Sequence, residues 1–166
     1  MRRWWCALAV LAVLFTGCRP VKQAEPKVVE FSCKMEAVYR DLAVEATLTR
    51  YGAGTLMLDF EQPDTLRGLT ARWDGEAVTL SLYGLEFTAD LPSLPEQALG
   101  TELVAVLDAA LRGEGELHRE NGTLTLRGHT SGGEYSAVFD AESGLPLSLS
   151  MPQLPLEVRF AEWNNT

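Results

Sequence analysis

Between Phe31 and Phe160 the chain alternates apolar and polar residues with period two in nearly every segment, and a helical period appears once. Alternation of this kind makes strands with one buried face, so many apolar strand faces must be covered by very little else. Phe31, Cys33, Met35, Ala37 and Tyr39 open the pattern, a turn at Asp41-Leu42 follows, and Val44, Ala46 and Leu48 continue it. Tyr51-Gly52-Ala53-Gly54 offers the backbone freedom a hairpin needs. Leu56, Leu58 and Phe60 share the next face, Pro63-Asp64 breaks the strand, and Leu66 to Trp73 reads as another. Asp74-Gly75 is a strong hairpin signal leading into Val78, Leu80 and Leu82. After Gly84, Leu85, Phe87 and Ala89 form a short strand that Pro92 and Pro95 end.

Leu99, Leu103, Leu107 and Leu111 then recur every fourth residue, flanked by Val104 and Ala110, with Glu102, Asp108 and Arg112 elsewhere on the wheel. This spacing predicts an amphipathic helix, with Thr101 as its expected cap and Gly113 as its stop. Strands resume with Glu116 to Glu120, an Asn121-Gly122 hairpin and Thr123 to His129. Ser131-Gly132-Gly133 leads to Tyr135, Ala137 and Phe139 on one face, and Asp140 to Pro146 reads as a turn. Leu147, Leu149 and Met151, then Leu156, Val158 and Phe160, supply the last buried faces.

Eleven strands and one helix pose a covering problem. A helix of ~12 residues is only ~18 Å long, whereas eleven strands laid flat would span roughly 50 Å. The sheet must curl so that its apolar face turns inward, which predicts a mainly β (α+β) fold: an unclosed antiparallel β-barrel with one lid helix. A two-sheet sandwich with a dry core would show the same alternation. A large unclosed barrel tends to leave an apolar cavity for a small apolar ligand.

Ahead of the strands, Met1-Arg2-Arg3 is a positive n-region and Trp4 to Phe15 an apolar run too short to span a bilayer as a helix. Residues 1–17 read as a secretion signal, and Leu14-Phe15-Thr16-Gly17-Cys18 resembles the lipobox of bacterial lipoproteins, in which the cysteine is lipidated and becomes the new N-terminus. An ordinary signal peptide cut nearby is the alternative. Residues 18–27, with two prolines and no apolar periodicity, read as a lipidated tether, and 28–163 as the folded domain. Loss of Cys6 with the signal and lipidation of Cys18 leave Cys33 alone in that domain, as a small buried residue with no disulfide partner. The chain carries 14 basic and 23 acidic residues, a formal net charge of −9, a balance that repels nucleic acid.

Phe60-Glu61-Gln62-Pro63, Leu66-Arg67-Gly68, Trp73-Asp74-Gly75-Glu76-Ala77-Val78 and the Ser-Gly-Leu-Pro core of Asp140 to Pro146, behind a lipoprotein signal, resemble the lipoprotein carrier and receptor proteins of the Lol type (LolA/LolB-like). The resemblance implies an unclosed eleven-stranded barrel whose apolar cavity holds acyl chains of lipoproteins in transit, and Cys18 places the chain nearer the lipidated receptor than the soluble carrier. In that reading Leu56, Leu58, Phe60, Val78, Leu80, Leu82, Phe139 and Leu149 line a site for acyl chains, with Leu103 and Leu107 on the lid. Partners would be the membrane through Cys18, lipid or lipoprotein acyl chains, and an envelope protein. The domain would sit on the extracytoplasmic side, on the cytoplasmic membrane, or on the outer membrane of a two-membraned cell, where Arg19 in place of the retention signal Asp permits outward sorting. Related folds include a spore-germination lipoprotein that acts by binding a protein, so a tethered envelope interaction module is the second reading.

No set of residues in the sequence is assigned to catalysis. His118 and His129 lie on neighbouring strands without a third ligand at metal spacing. His129-Thr130-Ser131-Gly132-Gly133 is not the Gly-x-Ser-x-Gly nucleophile elbow. Asp59, Glu61 and Asp64 cluster at a turn without a calcium-loop pattern. The expectation is a non-enzymatic protein with no cofactor and no metal.

Overall fold

The computed structural model describes residues 30–94 and 98–164. The signal 1–17, Cys18 and the tether 18–27 lie outside the described residues. The chain forms β1 (Phe31–Tyr39), β2 (Leu42–Gly52), β3 (Thr55–Gln62), β4 (Thr70–Asp74), β5 (Ala77–Leu82) and β6 (Leu85–Asp90), followed by a 3-10 turn at Leu91–Ser93. Helix α1 (Leu99–Leu111) comes next, and then β7 (Glu116–Glu120), β8 (Thr123–Thr130), β9 (Gly133–Asp140), β10 (Pro146–Met151) and β11 (Leu156–Asn164).

All eleven strands belong to one sheet, ordered β6-β5-β4-β3-β2-β1-β11-β10-β9-β8-β7. Every pair is antiparallel. The single unclosed sheet is the expected one and replaces the sandwich alternative. Strands β6 and β7 remain edges, and α1 connects them in sequence.

The alternation placed most inward residues correctly, and the exceptions have local causes. The chain reverses at Arg40-Asp41 rather than Asp41-Leu42, with Arg40 in the left-handed region. Residues 66–69 are not strand: backbone bonds from Leu66 to Pro63 and from Leu69 to Leu66 hold a turn, and β4 begins at Thr70. Leu147 is exposed rather than buried, because the β9–β10 register shifts between Pro146 and Ser148 and turns that one side chain outward. Thr101 lies inside α1, whose N-cap is Ala98. The other end is as expected: Gly113 has φ +67, its N–H bonds to the Ala110 carbonyl, and that of Glu114 to the Ala109 carbonyl, a Schellman stop. Asn121 and Gly122, with φ 48 and 80, form the two-residue β7–β8 turn. In the β9–β10 turn Asp140 accepts from the N–H and hydroxyl of Ser143, which hold its carboxyl below the usual range.

Inside the curl lie Met35, Leu48, Leu56, Leu58, Leu124, Leu126, Phe139 and Met151, packed around Leu103, Val106 and Leu107 of α1. Because the sheet wraps the helix, two adjacent stripes of α1 are buried: Leu103, Leu107 and Ala110, and beside them Glu102, Val106 and Ala109. Glu102 is therefore interior, not on the solvent side of the wheel.

Candidate functional site

Register follows the concave face across the sheet. Phe87 on β6 pairs with Leu80 on β5, Leu80 with Ala71 on β4, Ala71 with Leu58 on β3, and Leu58 with Leu48 on β2. These five residues form one cross-strand row of inward side chains. Burial changes steeply along it: Leu48 and Leu58 are 0% exposed, Ala71 is buried, Leu80 is half-buried and Phe87 is 64% exposed. In the next row half-buried Leu82 pairs with Leu85, which is 78% exposed. At the tip between them, Tyr83 and Gly84 adopt φ of 51 and 83, and the Tyr83 side chain is almost fully exposed. The concave face thus has a sealed region under α1 and an open apolar flank on β5 and β6.

The boundary is set by how α1 is held. On one wall Gly100 packs against the Trp73 indole so closely that a Cβ there would overlap the ring. Asp108 forms an ion pair with Arg50, and its Oδ2 accepts from the Gly54 N–H at 2.9 Å. Arg50 is fully buried on β2, next in the inward series after Val44, Ala46 and Leu48. On the other wall Oε2 of the buried Glu102 accepts from the Thr130 hydroxyl at 2.9 Å. Just past the helix, Tyr135 of β9 donates to the Glu114 carbonyl at 2.8 Å. Burial, with the nearby Glu114 charge second, pushes the Tyr135 phenol above its ordinary value. These polar contacts seat α1 across β3 and β8; Val78 of β5 is still covered, while Leu82, Leu85 and Phe87 toward the β5–β6 tip are left open.

The ten candidate cavity residues divide between the two regions. Leu56, Leu58, Val78, Leu103, Leu107, Phe139 and Leu149 lie in the sealed core. Phe60 and Leu80 pack at its margin and Leu82 faces the open flank. Leu85 and Phe87, which belong to this flank, read in the sequence only as a short strand. Their alternation showed which way they point but not that α1 stops short of them.

Other candidates resolve into local structure. Cys33 is buried, and desolvation pushes its thiol up to about 12, so it is unreactive at neutral pH. Asp59 accepts from the Thr70 hydroxyl at 2.7 Å, and Asp64 pairs with Arg67 at 2.6 Å. Glu61 is engaged by Lys34 and by the Thr47 hydroxyl, which lower its pKa in that order. His118 is mostly exposed and faces Glu116 at 3.6 Å. His129 pairs in register with Glu134 rather than with His118. No cluster of three or more potential metal ligands occurs among the described residues.

No protein-family model matches the chain, and no curated protein matches it in sequence. Among solved structures it is similar to an uncharacterized conserved protein from Thermus thermophilus. That likeness has 13% identity and a TM-score of 0.53, over 84% of this chain and 80% of the other. It also aligns with a LolA superfamily protein from Nitrosomonas europaea, at 8% identity and a TM-score of 0.42, over 87% of this chain and 89% of that one. At 13% identity the first likeness is one of fold alone.

Proposed function

We propose that the protein holds an acyl chain of a lipid or lipoprotein against its open concave flank. It would act as a non-catalytic carrier or receptor, anchored on the extracytoplasmic side of a membrane through lipidated Cys18. The observation that carries this reading is the row from Leu48 to Phe87, apolar throughout yet covered only in part. Each methylene moved from water onto such a surface is worth ~0.8 kcal/mol. An acyl chain along Leu80, Leu82, Leu85 and Phe87 would complete the cover that α1 begins. With α1 pinned by Asp108 and Glu102, the site is preformed and needs no helix movement to admit a ligand.

Mass spectrometry of lipids retained by the purified protein tests this directly. Leu85→Asp and Phe87→Asp alter exposed side chains, so the fold should persist while lipid retention falls at least tenfold. Equal lipid content in wild type and variants refutes the site. Anchoring has a separate test: Cys18→Ala should move the protein out of the salt-washed membrane fraction, because one apolar contact without two or more chains binds only marginally. A second reading, a tethered module that binds an envelope protein, is favoured by the complete packing of Leu103, Leu107 and Phe139. Wild-type protein that purifies free of lipid would favour that reading.

A further inference from the structure

We propose that the protein forms a twofold dimer in which the β6 edges of two copies pair antiparallel about an axis at Phe87, so that two open flanks join into one apolar trough.

Among the described residues strand β6 has a neighbour on one side only, β5. Edge strands are ordinarily protected by bulges, prolines or inward-pointing charges. The other edge has such a device: Arg119 of β7 pairs in register with buried Leu124, which puts a guanidinium-bearing side chain on the concave side of the border. Strand β6 has none of them. Its register with β5 runs without a shift from Asp90 to Leu85, it contains no proline, and its concave residues are Leu85, Phe87 and Ala89.

The backbone selects the pairing. Leu82 and Leu85 flank the two-residue turn and form the hydrogen-bonded pair that closes the hairpin, so Leu85, Phe87 and Ala89 direct their N–H and C=O groups toward β5. Glu86 and Thr88 direct theirs outward, available to another strand. A twofold axis at Phe87 places Glu86 of each copy opposite Thr88 of its mate, matching outward groups with outward groups. On the concave side the same axis sets Phe87 against Phe87 and Leu85 against Ala89. Moving the axis one residue either way is penalised: at Glu86 it opposes two copies of that carboxylate, and at Thr88 it opposes Glu86 to Asp90 twice. One register therefore satisfies backbone, charge and apolar side together, and an isologous contact of this kind closes at two copies. The backbone pairing through Glu86 and Thr88 needs no lipid, although Leu85 and Phe87 belong both to this contact and to the proposed acyl site, so self-association and lipid retention are read separately.

Opposite substitutions at one residue test both the dimer and its register, using full-length protein solubilised in detergent and examined by sedimentation velocity. Thr88→Lys faces each Glu86 with a cation and should tighten self-association several-fold, whereas Thr88→Glu should weaken it at least as much. Both changes remove the Thr79 hydroxyl contact equally, so their difference reports the edge. Phe87→Cys should give a disulfide-linked dimer under mild oxidation, absent from the parent with its own cysteines and from Phe87→Ser. A monomeric wild type, equal behaviour of the Lys and Glu variants, or no cross-link at Phe87→Cys overturns the proposal.

Discussion

The concave surface of β8 and β9 and that of β5 and β6 come from the same alternation, yet they end in opposite states. Leu124, Leu126, Ala137 and Phe139 are sealed beneath α1, while Leu82, Leu85 and Phe87 stand open. Inward-facing and buried are thus separate properties in this fold. Pleat decides the first, and the reach of one 13-residue helix inside an eleven-stranded sheet decides the second.

The largest expected effect lies in the sealed region. Leu103→Asp places a carboxylate among fully packed side chains and should prevent folding, read as loss of a cooperative thermal transition. A folded Leu103→Asp protein would mean that α1 covers a yielding cavity and that the two regions are alike. Next comes Asp108→Ala, which removes the carboxylate that pairs with the buried Arg50 guanidinium and should cost about 3–5 kcal/mol in chemical denaturation. Replacing both partners, with Arg50→Met and Asp108→Leu, should recover most of that loss. If the double variant is no better than the single one, the pair does not hold the helix.

Tyr135→Phe should cost about 1 kcal/mol by removing the bond to the Glu114 carbonyl. Because the folded phenol has a raised pKa, its stabilisation is fully present below the ordinary value of 10.0 and fades as pH rises through the higher folded value. The wild-type advantage over Tyr135→Phe should therefore shrink as pH rises through that range, read by chemical denaturation at neutral and alkaline pH. The smallest effect is expected on the open flank, where Phe87→Ser should change stability by no more than about 0.5 kcal/mol. Hydrogen exchange sharpens the contrast: α1 amides should be as protected as those of β1 and β2, and at dilutions that keep the protein monomeric β6 amides should exchange fastest among the strands.

Much of this architecture is legible in the sequence. Period two in Phe31 to Ala37 and Val44 to Leu48 fixes both the strands and their inner faces, and Asn121-Gly122 fixes a turn. The polar residues that seat α1 are not legible in the sequence, because a charge in an amphipathic pattern ordinarily marks solvent. Continuing the β2 series by one step reaches Arg50, and Asp108 is the acid that compensates it, but only the folded sheet brings the two together. Leu147 departs from the alternation because a one-residue bulge leaves no trace in sequence until it has passed. The open flank depends on where α1 stops across the sheet, a tertiary length that no local period records.

The position of α1 between the two edge strands has a consequence for how the chain folds. Strands β1 to β6 and β7 to β11 are two simple up-and-down series, and only the β1–β11 seam, with Ser32 beside Asn164, joins them into one sheet. That seam brings together residues from opposite ends of the sequence, and such distant contacts form late and slowly. A circular permutant, linked through the neighbourhood of Ser32 and Asn164 and opened at Gly113, would run β7 to β11 and then β1 to β6 as a single uninterrupted meander. Every strand would then follow its spatial neighbour in sequence, and the same sheet would assemble without its one long loop closure.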